Sequence, residues 1–166
     1  MAKPTSEALA LPDFPVTIVR ELDGNFIHDE VSLKELIEHT NKGLILYFYL
    51  KDDTPGCTTQ ATDFTADINA FDTLGYDIIG VSRDSVASHE KFLAKYELQI
   101  PFISDSDEKL CQYFGVIQEK NMYGKTTLGL VRSAFVFDKN GLLTHAQRNL
   151  RAAGYSERLL SVLKPA

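Results

Sequence analysis

The chain has 166 residues, 44% hydrophobic and 24% charged, with 23 acidic against 17 basic side chains and a formal charge of −6. Length and composition fit one soluble domain around a single core, and an acidic balance without a local cluster of Lys and Arg argues against a nucleic-acid partner. The longest apolar runs, such as residues 44–50, are too short to cross a bilayer, and MAKPTSEALALPDF has no long apolar run behind a basic start, so it does not read as a secretory signal.

In chain order, residues 1–13 read as a flexible segment and 14–166 as the domain. Val16–Glu21 and Phe26–Val31 flank Asp23-Gly24 and predict a hairpin. Ser32 predicts a cap for a short helix, Leu33–His39, with Glu35 as its capping-box partner. Gly43 opens LILYFYL, a continuous apolar run of the kind expected in a buried central strand. KDDTPG is a loop. Ala61, Phe64, Ile68 and Phe71 then recur at spacings that put them on one face of a single helix. Tyr76–Ser82 predicts a second buried strand, and Ser85–Tyr96 a helix capped by Asp84 or Ser85. Residues 100–103 predict a short strand, and Asp107–Phe114 a short helix stopped by Gly115. Ile117–Val131 shows no clear periodicity and reads as a long loop. Ser133–Phe137 and Leu142–Asn149 form a hairpin, and Tyr155–Leu163 closes the chain as a helix. This order implies an α/β fold, one mixed sheet covered by helices on both faces.

The two cysteines, Cys57 and Cys111, make no disulfide scaffold, and a cytoplasmic location is the simplest assignment. Cys57 follows Thr54-Pro55-Gly56 between a buried strand and a helix. Pro55 suits the first helical position, which puts Cys57 in the first turn, where free backbone N–H groups and the helix dipole favour a thiolate. Thr54 could hold a hydroxyl beside the sulfur, able to donate and to accept. By position alone a packed structural cysteine is the commoner outcome, since Cys57, Ala61, Phe64 and Ile68 share a stripe. The polar KDDTPG run is poor packing material and good site material, and it shifts that balance.

YFYLKDDTPGCTTQATDF resembles the active-site segment of the peroxiredoxins, most closely the bacterioferritin-comigratory (peroxiredoxin Q) branch. The resemblance continues through IIGVSRDSVASHEKF, PFISDSDEKLCQYFGV and MYGKTTLGLVRSAFVFDKNG, covering essentially everything after residue 14. It implies a thioredoxin-like fold with an added N-terminal hairpin. It also implies that Cys57 is the peroxidatic cysteine, and that Thr54 and Arg132 are its catalytic partners, the Arg132 guanidinium lying near the sulfur.

The chain departs from that pattern at several places. Leu50 stands where the motif has proline, and Gln60 where many relatives have Glu. The two positions that customarily carry a resolving cysteine hold Thr62 and Leu93. Cys111 is read as a buried structural thiol. His28, His39, His89 and His145 lack metal-ligand spacing and read as surface or cap histidines. Asp52-Asp53 reads as a solvated loop face, Tyr47, Phe48 and Tyr49 as strand core, and Arg83, Arg148 and Arg151 as surface arginines. No phosphate-binding glycine loop is present.

The expectation is therefore a thiol peroxidase with no cofactor and no metal. It reduces hydrogen peroxide and organic hydroperoxides through a Cys57 sulfenic acid. An external thiol (thioredoxin, glutaredoxin or a small thiol) then restores Cys57. A monomer with no nucleic-acid or membrane partner is expected. Two alternatives stay open: Cys111 as an internal resolving thiol, and a non-enzymatic redox sensor that would consume one equivalent of peroxide. A disulfide reductase is disfavoured, because Gln60 occupies the second place of a C-x-x-C pair.

Overall fold

The computed structural model describes residues 9–164. The first hairpin pairs β1 (Val16–Leu22) with β2 (Asn25–Val31). Asp23 and Gly24 both take positive φ, 52° and 82°, the two-residue turn whose twist matches that of the strands. Ser32 caps α1 (Leu33–Thr40): its Oγ accepts from the Glu35 N–H at 3.1 Å and donates to Glu35 Oε1. β3 (Gly43–Phe48) is buried at every residue, as its unbroken apolar run requires.

The stripe from Ala61 to Phe71 belongs to two helices rather than one, α2 (Pro55–Ala66) and α3 (Ile68–Thr73). The break is at Asp67, whose backbone leaves helical values and whose carboxylate accepts from Ser156 Oγ at 2.7 Å. A tertiary hydrogen bond thus interrupts a pattern that remains continuous in its apolar face.

β4 (Tyr76–Ser82), α4 (Val86–Tyr96), β5 (Phe102–Ser104) and α5 (Lys109–Tyr113) follow, with Ser85 as the α4 cap. Residues 117–131 are not a loop. They form β6 (Ile117–Met122) and β7 (Lys125–Leu130), an antiparallel pair separate from the main sheet. Their turn, Tyr123-Gly124, repeats the double positive φ of the first hairpin. Most of β7 is exposed, including Leu128 at 73%, so neither face selects an alternating pattern. β8 (Ser133–Phe137), β9 (Leu143–Arg148) and α6 (Tyr155–Leu163) complete the chain.

Seven strands form one mixed sheet in the order β2-β1-β5-β4-β3-β8-β9. β3, β4 and β5 run parallel, and the outer pairs are antiparallel. Alternation along β3 and just beyond it divides the core in two. Ile45, Tyr47 and Tyr49 pack with residues of α2, α3, α4 and α6 on one face, while Leu44, Leu46 and Phe48 pack with α1 and α5 on the other. Part of the flexible segment expected over residues 1–13 lies outside the described residues. From residue 9 the chain packs: Leu11 is buried in the second cluster, and Tyr113 donates to the Ala10 carbonyl. Among the described residues no helix is long and apolar enough to cross a membrane.

Candidate active site

The site lies where β3 leaves the sheet centre and α2 begins. Thr54 is the last extended residue (φ −104°, ψ 155°) and Pro55 starts the helix, which sets Cys57 in its first turn. Thr54 makes no side-chain cap. Its hydroxyl donates instead to the Lys51 carbonyl at 2.8 Å and is within hydrogen-bonding range of the Cys57 sulfur. The loop is thus folded onto itself at the thiol, and its inner side carries the Lys51 backbone N–H as a donor to Cys57.

Arg132 reaches the same sulfur from the link between β7 and β8. Its Nη2 donates to Cys57 Sγ at 3.2 Å, and its Nη1 to Gln60 Oε1 at 2.6 Å. Two fixed acceptors hold the planar fork in one orientation. Gly56 makes room for it: a Cβ there would lie 3.2 Å from Arg132 Nη2 and 3.8 Å from the Ala152 Cβ. Gln60 is buried, and its Nε2 has no protein partner.

Cys57 is 2% exposed. Burial is the largest single influence on its thiol and opposes ionisation. The Lys51 N–H, the Thr54 hydroxyl and the Arg132 charge together outweigh it and hold the thiol below its ordinary value. The result is a thiolate-favouring sulfur with a cation and a hydroxyl beside it.

Residues 9–146 match the AhpC/TSA family. The chain belongs to that family. It is 49% identical over 126 residues to the peroxiredoxin Bcp of Xanthomonas campestris pv. campestris, an overlap of 76% of this chain and 79% of that protein. A solved structure of Xanthomonas campestris peroxiredoxin Q superposes with a TM-score of 0.81 at 42% identity, covering 96% of this chain and 97% of the other. A structure of the bacterioferritin comigratory protein of the same organism, described for alkyl peroxide reduction activity, gives a TM-score of 0.80 at 42% identity over 94% and 96% of the two chains. This peroxiredoxin accordingly has the thioredoxin-like fold implied by its sequence, and it is a thiol peroxidase of the Bcp/peroxiredoxin Q branch.

Within this peroxiredoxin, Thr54, Cys57 and Arg132 converge across up to 78 positions of sequence. The remaining candidates are dispersed. Cys111 is fully buried on α5, in the cluster on the opposite face of the sheet from Cys57. Burial, and then its hydrogen bond to the Asp105 carboxylate, push its thiol far above the ordinary value. Thr62 turns its hydroxyl back to the Thr58 and Thr59 carbonyls, and Leu93 is fully buried. Arg83 pairs with Glu108, and Arg148 donates to the Phe114 carbonyl while its guanidinium lies over the Phe135 ring.

Two sequence readings need correction. His89 is not a surface or cap histidine: it has no solvent exposure, and its Nδ1 lies 2.7 Å from Asp52 Oδ2. Asp52 is correspondingly buried rather than a solvated loop residue. Lone polar residues 37 positions apart carry no motif, and only the packing of α4 against the loop brings them together. The Lys51 donor is equally invisible in the sequence, because every residue type except proline supplies a backbone N–H.

Proposed function

We propose that Cys57 is the peroxidatic cysteine, assisted by Thr54 and Arg132, in a one-cysteine cycle. The observation that carries this reading is the 3.2 Å contact from Arg132 Nη2 to Cys57 Sγ. The Cys57 thiolate attacks the terminal oxygen of a hydroperoxide. The S–O bond forms as the O–O bond breaks, its electron pair leaves with the departing oxygen, and that oxygen takes a proton to become water or an alcohol. Arg132 can share its donors with the peroxide oxygens, and Thr54 can both donate to and accept from them. Cys57 is left as a sulfenic acid. A thiol then displaces water to give a mixed disulfide, and a second thiol releases Cys57.

Hydrogen peroxide and organic hydroperoxides, including alkyl peroxides, are the proposed substrates, and thioredoxin, glutaredoxin or a small thiol the reductant. The branch resemblance supports a monomer, and the sequence composition a cytoplasmic setting.

The placement of Cys111 supports external resolution. A disulfide needs its Cα atoms within about 7 Å, whereas here the sheet stands between the two clusters that hold the thiols. After one equivalent of peroxide, intact mass should report one added oxygen on Cys57, trapped by dimedone, and no internal disulfide. Cys111→Ser should cycle at the parent's rate with an external thiol. If that variant stalls after one turnover while the parent forms a Cys57–Cys111 disulfide, the two-cysteine cycle replaces this one.

Gly56 supplies an independent test of the Arg132 contact. Gly56→Ala should stabilise the start of α2 by up to about 1 kcal/mol through helix propensity. Its methyl would press on a guanidinium already fixed at both ends. The expected outcome is a melting temperature equal to or above the parent's together with slower peroxide reduction. An unchanged rate would show that Arg132 need not hold this position.

A further inference from the structure

Residues 51–54, at the end of the loop ahead of α2, divide their labour by position. Lys51 and Thr54 face Cys57. Asp52 and Asp53, between them, face α4 instead. The Asp52 carboxylate accepts from Ser88 Oγ at 2.8 Å, from Tyr49 Oη, and from His89 Nδ1 at 2.7 Å. The Asp52 backbone N–H donates to Asp84 Oδ2 at 2.9 Å, just ahead of α4. Asp53 holds a left-handed backbone conformation, φ 60°, which is uncommon for a residue other than glycine. Its carboxylate is bound by Lys95 Nζ at 2.7 Å and by Tyr96 Oη, at the far end of the same helix.

His89 is the centre of this arrangement. Its Nε2 lies 3.0 Å from the Ile103 carbonyl, and its ring stacks on Phe102 at 5.5 Å between centroids. Both ring nitrogens therefore face acceptors, one on β5 and one on the loop. The ring bridges the rigid parallel part of the sheet to Asp52. A buried carboxylate is stable only when its lone pairs are met, so the side chains that meet them, His89 among them, also fix where the Asp52 backbone sits. Lys51 and Thr54 are attached to that backbone on either side.

We propose that His89, acting through Asp52, is a positioning residue for the reacting thiol: α4 latches the loop at both aspartates and so keeps the Lys51 N–H and the Thr54 hydroxyl on the Cys57 sulfur. The proposal rests on Cys57 being the reacting cysteine. It gives α4 a task in this chain other than the one its Leu93 position has in relatives with a cysteine there.

The test uses the full chain carrying Cys111→Ser, so that Cys57 is the sole thiol, and compares His89→Phe, His89→Gln and the pair Lys95→Met with Tyr96→Phe. The rate of Cys57 alkylation by iodoacetamide, followed against pH, reads the sulfur without any peroxide turnover. The peroxide rate is measured alongside, corrected for the folded fraction. His89→Phe fills the ring's space against Phe102 but gives Asp52 no donor. Its alkylation midpoint should move to higher pH, and its peroxide rate should fall about tenfold, in line with loss of positioning. His89→Gln can still donate to Asp52 and should recover most of both. The Lys95–Tyr96 pair should shift both quantities in the same direction by less, which keeps the latch testable if His89→Phe does not fold. Midpoints and rates equal to the parent's in the Lys95–Tyr96 pair, with a deficit in His89→Phe confined to melting temperature, would overturn the proposal. Failure of the Cys57 assignment looks different: peroxide turnover would then survive alkylation of Cys57 in the parent.

Discussion

Cys57→Ser is expected to eliminate peroxide turnover while the protein keeps its fold. A serine hydroxyl remains protonated at neutral pH, and the arrangement that lowers the Cys57 thiol cannot ionise it. The Lys51 N–H, Thr54 and Arg132 can all still hydrogen-bond an oxygen in that place, so a buried polar atom is not orphaned and the stability cost should stay near about 1 kcal/mol. The measurement is peroxide consumption with excess thiol reductant, set beside thermal unfolding of parent and variant. Turnover by the variant at a rate near the parent's would remove Cys57 from the mechanism. A variant that is inactive because it is unfolded would fail the melting comparison and would say nothing for catalysis.

Much of the fold could be read from local chemistry, for reasons visible in particular residues. Asp23-Gly24 specifies its turn through positive φ, Ser32 and Glu35 cap their helix, and the unbroken apolar run after Gly43 has nowhere to go but a sheet centre. Where packing is absent or remote, the sequence is silent. The β6–β7 hairpin was missed because Tyr123 and Leu128 are exposed, which erases the period-two signal, and because tyrosine is an unusual residue for a left-handed turn position. The split at Asp67 depends on Ser156, 89 positions away.

The site divides in the same way. Cys57 and Thr54 were legible from the strand-loop-helix setting, since Pro55 fixes the helix start and with it the first turn. Arg132 was not legible from spacing: 75 positions separate it from Cys57, and only the resemblance to known peroxiredoxins marked it. The sequence expectation for Asp52 is a solvated loop and for His89 a surface or cap position, because an isolated Asp or His ordinarily lies at the surface. Their burial follows from mutual pairing, which no single residue announces.

Arg132→Met should lower the rate of peroxide reduction by about a hundredfold, the scale found when one fixed donor to a developing negative charge is removed. Methionine roughly fills the space but takes away both the charge beside the Cys57 sulfur and the donor to Gln60 Oε1. Gln60 would then be buried with neither end of its amide paired, since its Nε2 already lacks a partner, at a stability cost of about 1–3 kcal/mol. The pH dependence separates the two roles of the arginine. In the parent, burial raises the thiol and is outweighed by Lys51, Thr54 and Arg132, so the net position is below the ordinary value. The thiolate is the reactive form, so the parent's rate falls as pH drops through that lowered value, and the accompanying stabilisation, complete above the ordinary thiol value, fades over the same fall. Without Arg132 the titration moves up, so the variant loses most at neutral pH and recovers part of the deficit as the pH is raised. What alkaline pH does not restore is the share due to holding the peroxide. Arg132→Lys should fall between the two, keeping the charge but not the fork that spans Gln60 and the sulfur. Peroxide rates and Cys57 alkylation rates, measured across pH for all three proteins, decide the matter. A deficit that vanishes entirely at high pH would reduce Arg132 to a device for ionising the thiol, and one independent of pH would confine it to the substrate.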